Sequence, residues 1–194
     1  YFTEFWCSDD TDPYERIYIQ WSLSKFFPAK TMGSHVTNWN KNTSVKFRTD
    51  VCSSCKLGFD IDLKSLSADD YKFVQQAVKN YDNMKPMILE GDLYRLVSPY
   101  EGNHCAINYV SKDKQRAVLF AYDLHPRYKE PLQNVKLQGL DAKKMYTVKE
   151  TNLMPGKDSE LEYNGKQYSG DYLMKIGLNV FTAQDGKSHV LIFE

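Results

Sequence analysis

The sequence predicts an α/β part followed by an all-β part. Up to Pro99, short stretches with the two-residue period of a strand alternate with stretches whose apolar residues recur at helical spacing. After Ser98-Pro99 the periodicity is strand-like, and it remains so to the last residues of the sequence. We therefore expect a domain boundary here, with one domain at residues 1–99 and a second at residues 100–194.

The first predicted helix follows an aromatic strand. The segment Phe5-Trp6-Cys7 is typical of the end of a buried strand. Asp12-Pro13 is typical of an N-cap followed by proline at the first helical position. The expected helix covers residues 13–27, and Pro28 ends it. Its apolar stripe, at the spacing with which a helix packs on a sheet, consists of Tyr14, Ile17, Tyr18 and Trp21.

The rest of the first part continues this alternation, and we expect all of its strands to be parallel. The predicted elements are a strand at residues 31–36, a loop at 38–44, one or two helical turns within 45–55 and a strand at 56–63. Ser67 has the form of an N-cap, and Pro86 is expected to end the helix that follows it. In the next segment, Asp92 and Arg95 are expected to form a structural ion pair, with a role in the active site as the alternative.

The second part is expected to be an antiparallel β-sandwich, because it contains seven or eight short strand-like segments separated by close turns. The candidate strands lie at residues 105–110, 116–122, 133–137, 145–150, 161–163, 167–169, 179–182 and 189–193. Asn164-Gly165 is typical of a two-residue hairpin turn, since both residues tolerate positive φ. No catalytic cluster of acids, histidines or thiols is evident in this half, so we interpret it as a packing domain.

Three carboxylates within four positions follow the first predicted strand: Asp9, Asp10 and Asp12. They occupy a loop between a strand and a helix. In barrels of alternating strands and helices, such loops carry the catalytic residues. The alternative is that the acids only cap the helix, because acidic first turns are common. The residue pattern alone leaves both interpretations open.

The segment that contains these acids resembles the tryptophan-x-serine-aspartate segment of the family 36 glycoside hydrolases, the α-galactosidases. Its sequence is Trp6-Cys7-Ser8-Asp9-Asp10-Thr11-Asp12-Pro13. Further segments resemble this family, in family order. They are Met32-Gly33-Ser34-His35-Val36, Leu57-Gly58-Phe59-Asp60-Ile61-Asp62-Leu63, Gly91-Asp92-Leu93-Tyr94-Arg95-Leu96, Ser98-Pro99-Tyr100-Glu101-Gly102 and Tyr168-Ser169-Gly170-Asp171-Tyr172-Leu173-Met174. The resemblance covers nearly the whole chain. It implies the C-terminal part of a (β/α)8 TIM barrel followed by the β-sandwich.

The resemblance also assigns roles to residues. It implies that Asp9, directly after the serine, is the general acid/base. The residues that it places at the substrate are Trp6, Cys7, Ser8 and Asp10. Because Asp10 stands where other members often have asparagine, which of the two adjacent aspartates transfers the proton stays open. His35 is a secondary candidate for substrate contact, with a purely structural hydrogen bond as the alternative.

The expected function is retaining hydrolysis of terminal α-galactosides of melibiose or raffinose type, by double displacement and without a metal or cofactor. This mechanism needs a second carboxyl group as the nucleophile. In the resembling family that group belongs to a lysine-tryptophan-aspartate segment, which these residues do not contain, so we expect the isolated chain to be inactive. Two alternatives are a non-catalytic carbohydrate-binding or assembly module and a raffinose-type transglycosidase. A homo-oligomer of the parent enzyme is compatible with the resemblance.

Composition argues against several other functions. The 25 basic and 25 acidic residues give a formal net charge of zero, and no basic stripe indicates nucleic-acid binding. No apolar run in the sequence indicates a membrane span. Cys52 and Cys55 form a single CxxC motif without a second one. We therefore prefer buried or incidental thiols to a redox or metal half-site.

Overall fold

The computed structural model describes residues 3–40 and 42–194. The predicted loop at residues 38–44 includes Lys41, which lies outside the described residues. Two β-sheets organise the described chain, one parallel with three strands and one antiparallel with six. This arrangement agrees with an α/β part followed by an antiparallel part.

The parallel sheet is formed by β1 (Phe5–Trp6), β2 (Met32–Thr37) and β3 (Lys56–Asp60), in that order. Helices α1 (Pro13–Leu23) and α2 (Val45–Ser53) connect successive strands, as the sequence predicts. Because the strands are parallel, their carboxyl ends meet at one edge of the sheet. The loops that follow β1 and β2 therefore lie side by side at this edge, which is where open α/β sheets bind ligands.

Helix α1 begins where the sequence predicts. Asp12 is the N-cap, and its carboxylate accepts hydrogen bonds from two backbone N–H groups of the first turn. Pro13 takes the first helical position, where no N–H is needed. The predicted apolar stripe faces the core, with Ile17 and Trp21 buried. The helix ends at Leu23, before the predicted end at position 27.

Helix α3 (Ala68–Glu90) corrects one prediction, because it runs through Pro86 instead of ending there. Ser67 caps this helix as expected. Beyond the proline, Met87 and Ile88 are buried in the core. Burial of two such side chains, about 1.5–3 kcal/mol each, offsets the roughly 3 kcal/mol that an interior proline costs. No helix in the described part of the chain combines the length and the apolar composition needed to cross a membrane.

The antiparallel sheet has the strand order β4-β5-β6-β9-β7-β8. Its strands are β4 (Asp92–Val97), β5 (His104–Val110), β6 (Ala117–Asp123), β7 (Met145–Thr151), β8 (Gln167–Ser169) and β9 (Ser188–Phe193). Strand β4 lies before position 99 yet pairs antiparallel with β5. The prediction that every strand up to this position is parallel is therefore wrong for β4.

The second layer of the predicted sandwich is not built of strands in the described part of the chain. Three of the candidate strands are irregular, at residues 133–137, 161–163 and 179–182. One isolated bridge joins Val135 to Leu178. These segments still cover the sheet, because their apolar side chains pack on it together with α4 (Gly170–Lys175). Of the two residues in the predicted hairpin turn, Gly165 alone has a positive φ, of 80°.

Two apolar cores lie on opposite faces of the antiparallel sheet. The inner core packs helices α1, α2 and α3 against the sheet, with Phe47 and Phe120 among its members. The outer core packs the irregular segments and α4 against the other face, with Leu119 and Val180 among its members. The three helices therefore join the two sheets into one packed structure.

The expected ion pair between Asp92 and Arg95 is not formed. Asp92 pairs instead with Lys112, and Arg95 donates to the hydroxyl and the carbonyl of Ser24. The two residues are three apart on strand β4, so their side chains point to opposite faces of the sheet. The prediction failed because residues 92–95 are in extended strand conformation, paired in register with β5.

Candidate active site

The three clustered carboxylates lie on residues 7–12, here called the acid loop, which joins β1 to α1. Two of them are used by the loop itself. Asp10 Oδ1 accepts the backbone N–H of Asp12 at 2.9 Å, and Asp12 caps α1. The Asp9 side chain is exposed and makes no hydrogen bond to any residue that the structure describes. Asp9 is thus the acid of this loop whose carboxylate is available to another molecule.

Two polar contacts tie the acid loop to the last residue of β2 and to the loop that follows it. Asn40 Nδ2 donates to Asp12 Oδ2 at 2.5 Å. The hydroxyls of Thr11 and Thr37 lie 2.5 Å apart, and both threonines are buried. Neither contact was predicted from the sequence, although polar residues at the ends of two adjacent parallel strands were a usable signal. The ties hold the acid loop against its neighbour.

A stacked aromatic pair stands beside the acid loop. The Trp6 indole and the His35 imidazole have ring centroids 3.9 Å apart and an interplanar angle of 16°. Trp6 is 46% exposed, so the interpretation of this strand end as buried is wrong for Trp6. Burial, and secondly the positive charge of Arg16, lower the pKa of His35, which favours the neutral ring. Gly58 leaves room for that ring, since a Cβ there would lie 2.3 Å from His35 Cδ2.

A cleft of about 360 Å³ opens at the Trp6–His35 pair. Its lining residues are Glu4, Phe5, Trp6, Gly33, His35, Lys56 and Leu57. Lys56 and Glu4 form an ion pair in it. The volume is within the range of small-ligand sites, and an exposed aromatic face with polar neighbours suits a polyhydroxylated ligand such as a sugar.

The remaining predicted site residues lie on the acid loop and are not among the residues that line this cleft. The Ser8 hydroxyl accepts the backbone N–H of Asp10 at 3.0 Å, so it supports the conformation of the acid loop. Cys7 is half-buried, and burial raises the pKa of its thiol against the opposing effect of Arg16. The thiol is therefore neutral at physiological pH. All six residues predicted at the site lie on the acid loop, on β1 or on the adjacent β2.

Two buried histidine–carboxylate pairs in the second part were missed by the sequence analysis. His104 Nδ1 lies 2.8 Å from Asp123 Oδ1, and His189 Nδ1 lies 2.5 Å from Glu150 Oε1. Each pair links adjacent strands of the antiparallel sheet, and only the strand register brings its members together. Among residues 3–40 and 42–194, no group of three or more His, Cys, Asp or Glu side chains is arranged to hold a metal ion.

Comparison with protein families gives two matches. The family described as "Melibiase" matches residues 1–91, and the family described as "Glycosyl hydrolase family 36 C-terminal domain" matches residues 104–193. Among curated proteins, "Probable alpha-galactosidase G" of Aspergillus terreus is 30% identical and the protein of the same name from Emericella nidulans is 33% identical. Both alignments cover all of this chain and 26% of the relative. The chain thus spans about a quarter of the length of these relatives.

Solved structures agree with this result. The family 36 α-galactosidase AgaB from Geobacillus stearothermophilus has a TM-score of 0.85 and 28% identity, over 98% of this chain and 25% of that chain. A variant of AgaA from the same organism, solved in complex with raffinose, has a TM-score of 0.83 and 27% identity, over 96% and 25% of the two chains. In sequence and in fold, this chain therefore resembles the C-terminal part of the glycoside hydrolase family 36 α-galactosidases.

Proposed function

We propose that this chain forms part of a retaining α-galactosidase that hydrolyses terminal α-galactosides of the melibiose and raffinose type. In this proposal, residues 1–99 contribute the last strands and helices of a (β/α)8 catalytic barrel. Residues 100–194 form the antiparallel domain that follows it. The similarity to α-galactosidases over the whole chain supports this assignment, and the raffinose complex of AgaA supports the choice of substrate class.

The observation that carries the proposal is the availability of Asp9. Its two acidic neighbours each make hydrogen bonds within the protein, because Asp10 Oδ1 accepts a backbone N–H and Asp12 caps α1. A general acid must reach the leaving oxygen of the substrate, so its carboxyl group must be presented to the cleft and not consumed by the loop. Asp9 meets the second condition, because its side chain is exposed and makes no hydrogen bond to a described residue, which favours it over Asp10 as the general acid/base.

The proposed reaction has two steps. Asp9 first donates a proton to the glycosidic oxygen while a nucleophilic carboxylate attacks the anomeric carbon and forms a galactosyl ester. Asp9 then removes a proton from water, which hydrolyses the ester with net retention of configuration. The nucleophile must lie about 5 Å from Asp9. It has no counterpart in the acid loop, so we propose that it comes from another strand of the barrel and that this chain alone is inactive.

The neighbouring residues are proposed to bind the sugar. Trp6 offers an exposed indole whose position is held by His35, and such a ring stacks on the apolar face of a pyranose. The neutral imidazole of His35 and the neutral thiol of Cys7 are suited to hydroxyl groups, since neither places a net charge against an uncharged sugar. Ser8 and Asp10 shape the loop and offer their remaining lone pairs to substrate hydroxyls.

The test is the stereochemistry of the first product, measured by NMR on the intact enzyme that includes this chain. With melibiose or an aryl α-galactoside, we expect α-galactose to appear first and to mutarotate later. β-Galactose as the first product would refute the double-displacement mechanism. Absence of hydrolysis would favour the non-catalytic carbohydrate-binding alternative. Galactosyl transfer to sucrose faster than transfer to water would favour the transglycosidase alternative.

A further inference from the structure

Arg16 is the largest side chain in the described structure that is fully buried, with no exposed surface. It belongs to the first turns of α1, and its side chain lies beneath the acid loop, where Nη2 donates to the carbonyl oxygen of Ser8 at 3.0 Å. Ser8 is the residue directly before Asp9. A buried cation therefore contacts the backbone at the position that presents the proposed general acid.

The rest of the Arg16 guanidinium has no polar partner among the described residues. Nε and Nη1 are buried without a hydrogen bond, and no carboxylate of the described chain lies within ion-pair distance of the guanidinium. Burying an unpaired charge is costly, and proteins normally pair such groups. If an arginine only filled the core, an apolar side chain of similar volume could replace it without loss of stability.

Three titratable groups near Arg16 are neutral. Burial raises the pKa of the Cys52 thiol to about 11, and it also raises that of the Cys7 thiol, so both keep their protons near neutral pH. Arg16 itself contributes to the lowered pKa of His35, which favours the uncharged imidazole. Arg16 forms no ion pair with these three groups, and the Ser8 carbonyl is the hydrogen-bond acceptor that the described residues offer it.

We propose that Arg16 is a positioning residue for the proton-transfer step: through the Ser8 carbonyl it fixes the backbone on which the Asp9 carboxyl group is presented. This inference rests on the proposed function of Asp9. A shift of the carboxyl group by about 1 Å lowers the rate of proton transfer, by up to about a hundredfold.

Another arginine supplies a matched control. Arg95 also donates to a backbone carbonyl, that of Ser24, but at the opposite end of α1 from the acid loop. Removing either arginine takes a guanidinium away from a carbonyl next to α1. Only Arg16 is connected to the residue before Asp9, so only its removal is expected to change proton transfer.

The experiment compares Arg16→Met, Arg16→Lys and Arg95→Met in the intact enzyme. The readout is kcat/KM for aryl α-galactosides with leaving groups of increasing pKa, together with the midpoint of thermal unfolding. For Arg16→Met we expect a loss about ten- to a hundredfold larger for the poorest leaving group than for the best one. Arg16→Lys keeps the positive charge, so its loss of kcat/KM for the poorest leaving group should be smaller. Arg95→Met should change kcat/KM by the same factor for all substrates.

A purely structural role predicts a different result. It would lower the unfolding temperature of Arg16→Met and reduce kcat/KM equally for every leaving group, which would overturn the proposal. Should Arg16→Met fail to fold, Arg16→Lys decides, because a wild-type dependence on the leaving group in this variant would also overturn it. Asp9→Asn, measured in parallel, separates the two proposals. If Asp9→Asn lacks leaving-group dependence, the function assigned to Asp9 fails; if it has that dependence and the Arg16 variants do not, only the present inference fails.

Discussion

Gly58→Ala should disturb the aromatic pair at the candidate site, because a side chain at this position would collide with His35. A Cβ on Gly58 would lie 2.3 Å from Cδ2 and 2.6 Å from Nε2 of the imidazole, whereas carbon atoms in contact are about 3.5–4.0 Å apart. The ring must therefore move by about 1 Å or more. Trp6 stacks on the same ring with centroids 3.9 Å apart, so this movement breaks the stack.

The expected cost follows from these two effects. Inserting a methyl group into a packed site costs about 1–3 kcal/mol, and losing an aromatic stack costs about 0.5–1.5 kcal/mol. Gly58→Ala should therefore lower the free energy of unfolding by about 1.5–4.5 kcal/mol, measured by urea denaturation. Gly102→Ala is the matched control. No atom lies within 4 Å of a Cβ built at Gly102, so this variant should stay within about 0.5 kcal/mol of the original protein.

A double-mutant cycle tests the cause. In a His35→Ala background the ring is gone, so adding Gly58→Ala should cost less than about 1 kcal/mol. The reasoning is refuted if Gly58→Ala is as mild as Gly102→Ala. It is equally refuted if the full cost persists without the imidazole, because the collision would then not be with His35.

Two further predictions concern single carboxylates. Asp12→Ala removes both the helix cap and the acceptor for Asn40, so thermal and urea unfolding should show a loss of about 1–3 kcal/mol, whereas Asp12→Asn, which keeps an acceptor oxygen, should lose less. A smaller loss for Asp12→Ala than for Asp12→Asn would contradict this. Burial alone would raise the pKa of Glu150, but hydrogen bonds and charge from His189 outweigh it, so the pKa is lowered. Glu150 should therefore stabilise the fold above its ordinary pKa of 4.5, and this contribution should be lost as pH falls through the lower folded value. Urea unfolding between pH 6 and pH 3 should show a flatter pH dependence for Glu150→Gln, and an unchanged dependence would contradict the pairing.

Local sequence signals predicted the elements that depend on local chemistry. The start of α1 follows from an acidic N-cap and a proline, and both act within one turn of the helix. The strands β2 and β3 follow from their alternating residues. The candidate site also follows from a local motif, because Trp6 and the three acids belong to one continuous segment. In these cases the decisive interactions lie within a few residues of each other.

The predictions that failed depended on tertiary packing. Pro86 is a helix-ending residue by local rules, but the buried side chains beyond it keep α3 helical. The segments around Val135 and Val180 alternate like strands, yet they cover the outer core as irregular chain with one isolated bridge. Arg16 looks like an ordinary surface charge in the sequence, and only the packing of α1 beneath the acid loop buries it.

The central claim is that Asp9 transfers the proton, and adjacent acids on one loop allow it to be tested against its nearest alternative. Asp9→Asn and Asp10→Asn differ by one position and remove the same charge. Asp69→Asn, an exposed acid in the first turn of α3, controls for charge removal away from the site. All three variants are to be made in the intact enzyme and tested for folding by circular dichroism.

The measurement is kcat/KM for a series of aryl α-galactosides whose leaving groups differ in pKa. Melibiose is added as a substrate whose leaving group is a sugar. For Asp9→Asn we expect a loss on the order of 10²–10⁴-fold with melibiose and a much smaller loss with the most activated aryl galactoside, because a good leaving group departs without protonation. Asp10→Asn should lower kcat/KM by a similar factor for all substrates. Asp69→Asn should leave kcat/KM unchanged for all of them. If Asp10→Asn shows the dependence on leaving group and Asp9→Asn hydrolyses melibiose at the wild-type rate, the assignment of the general acid to Asp9 is wrong.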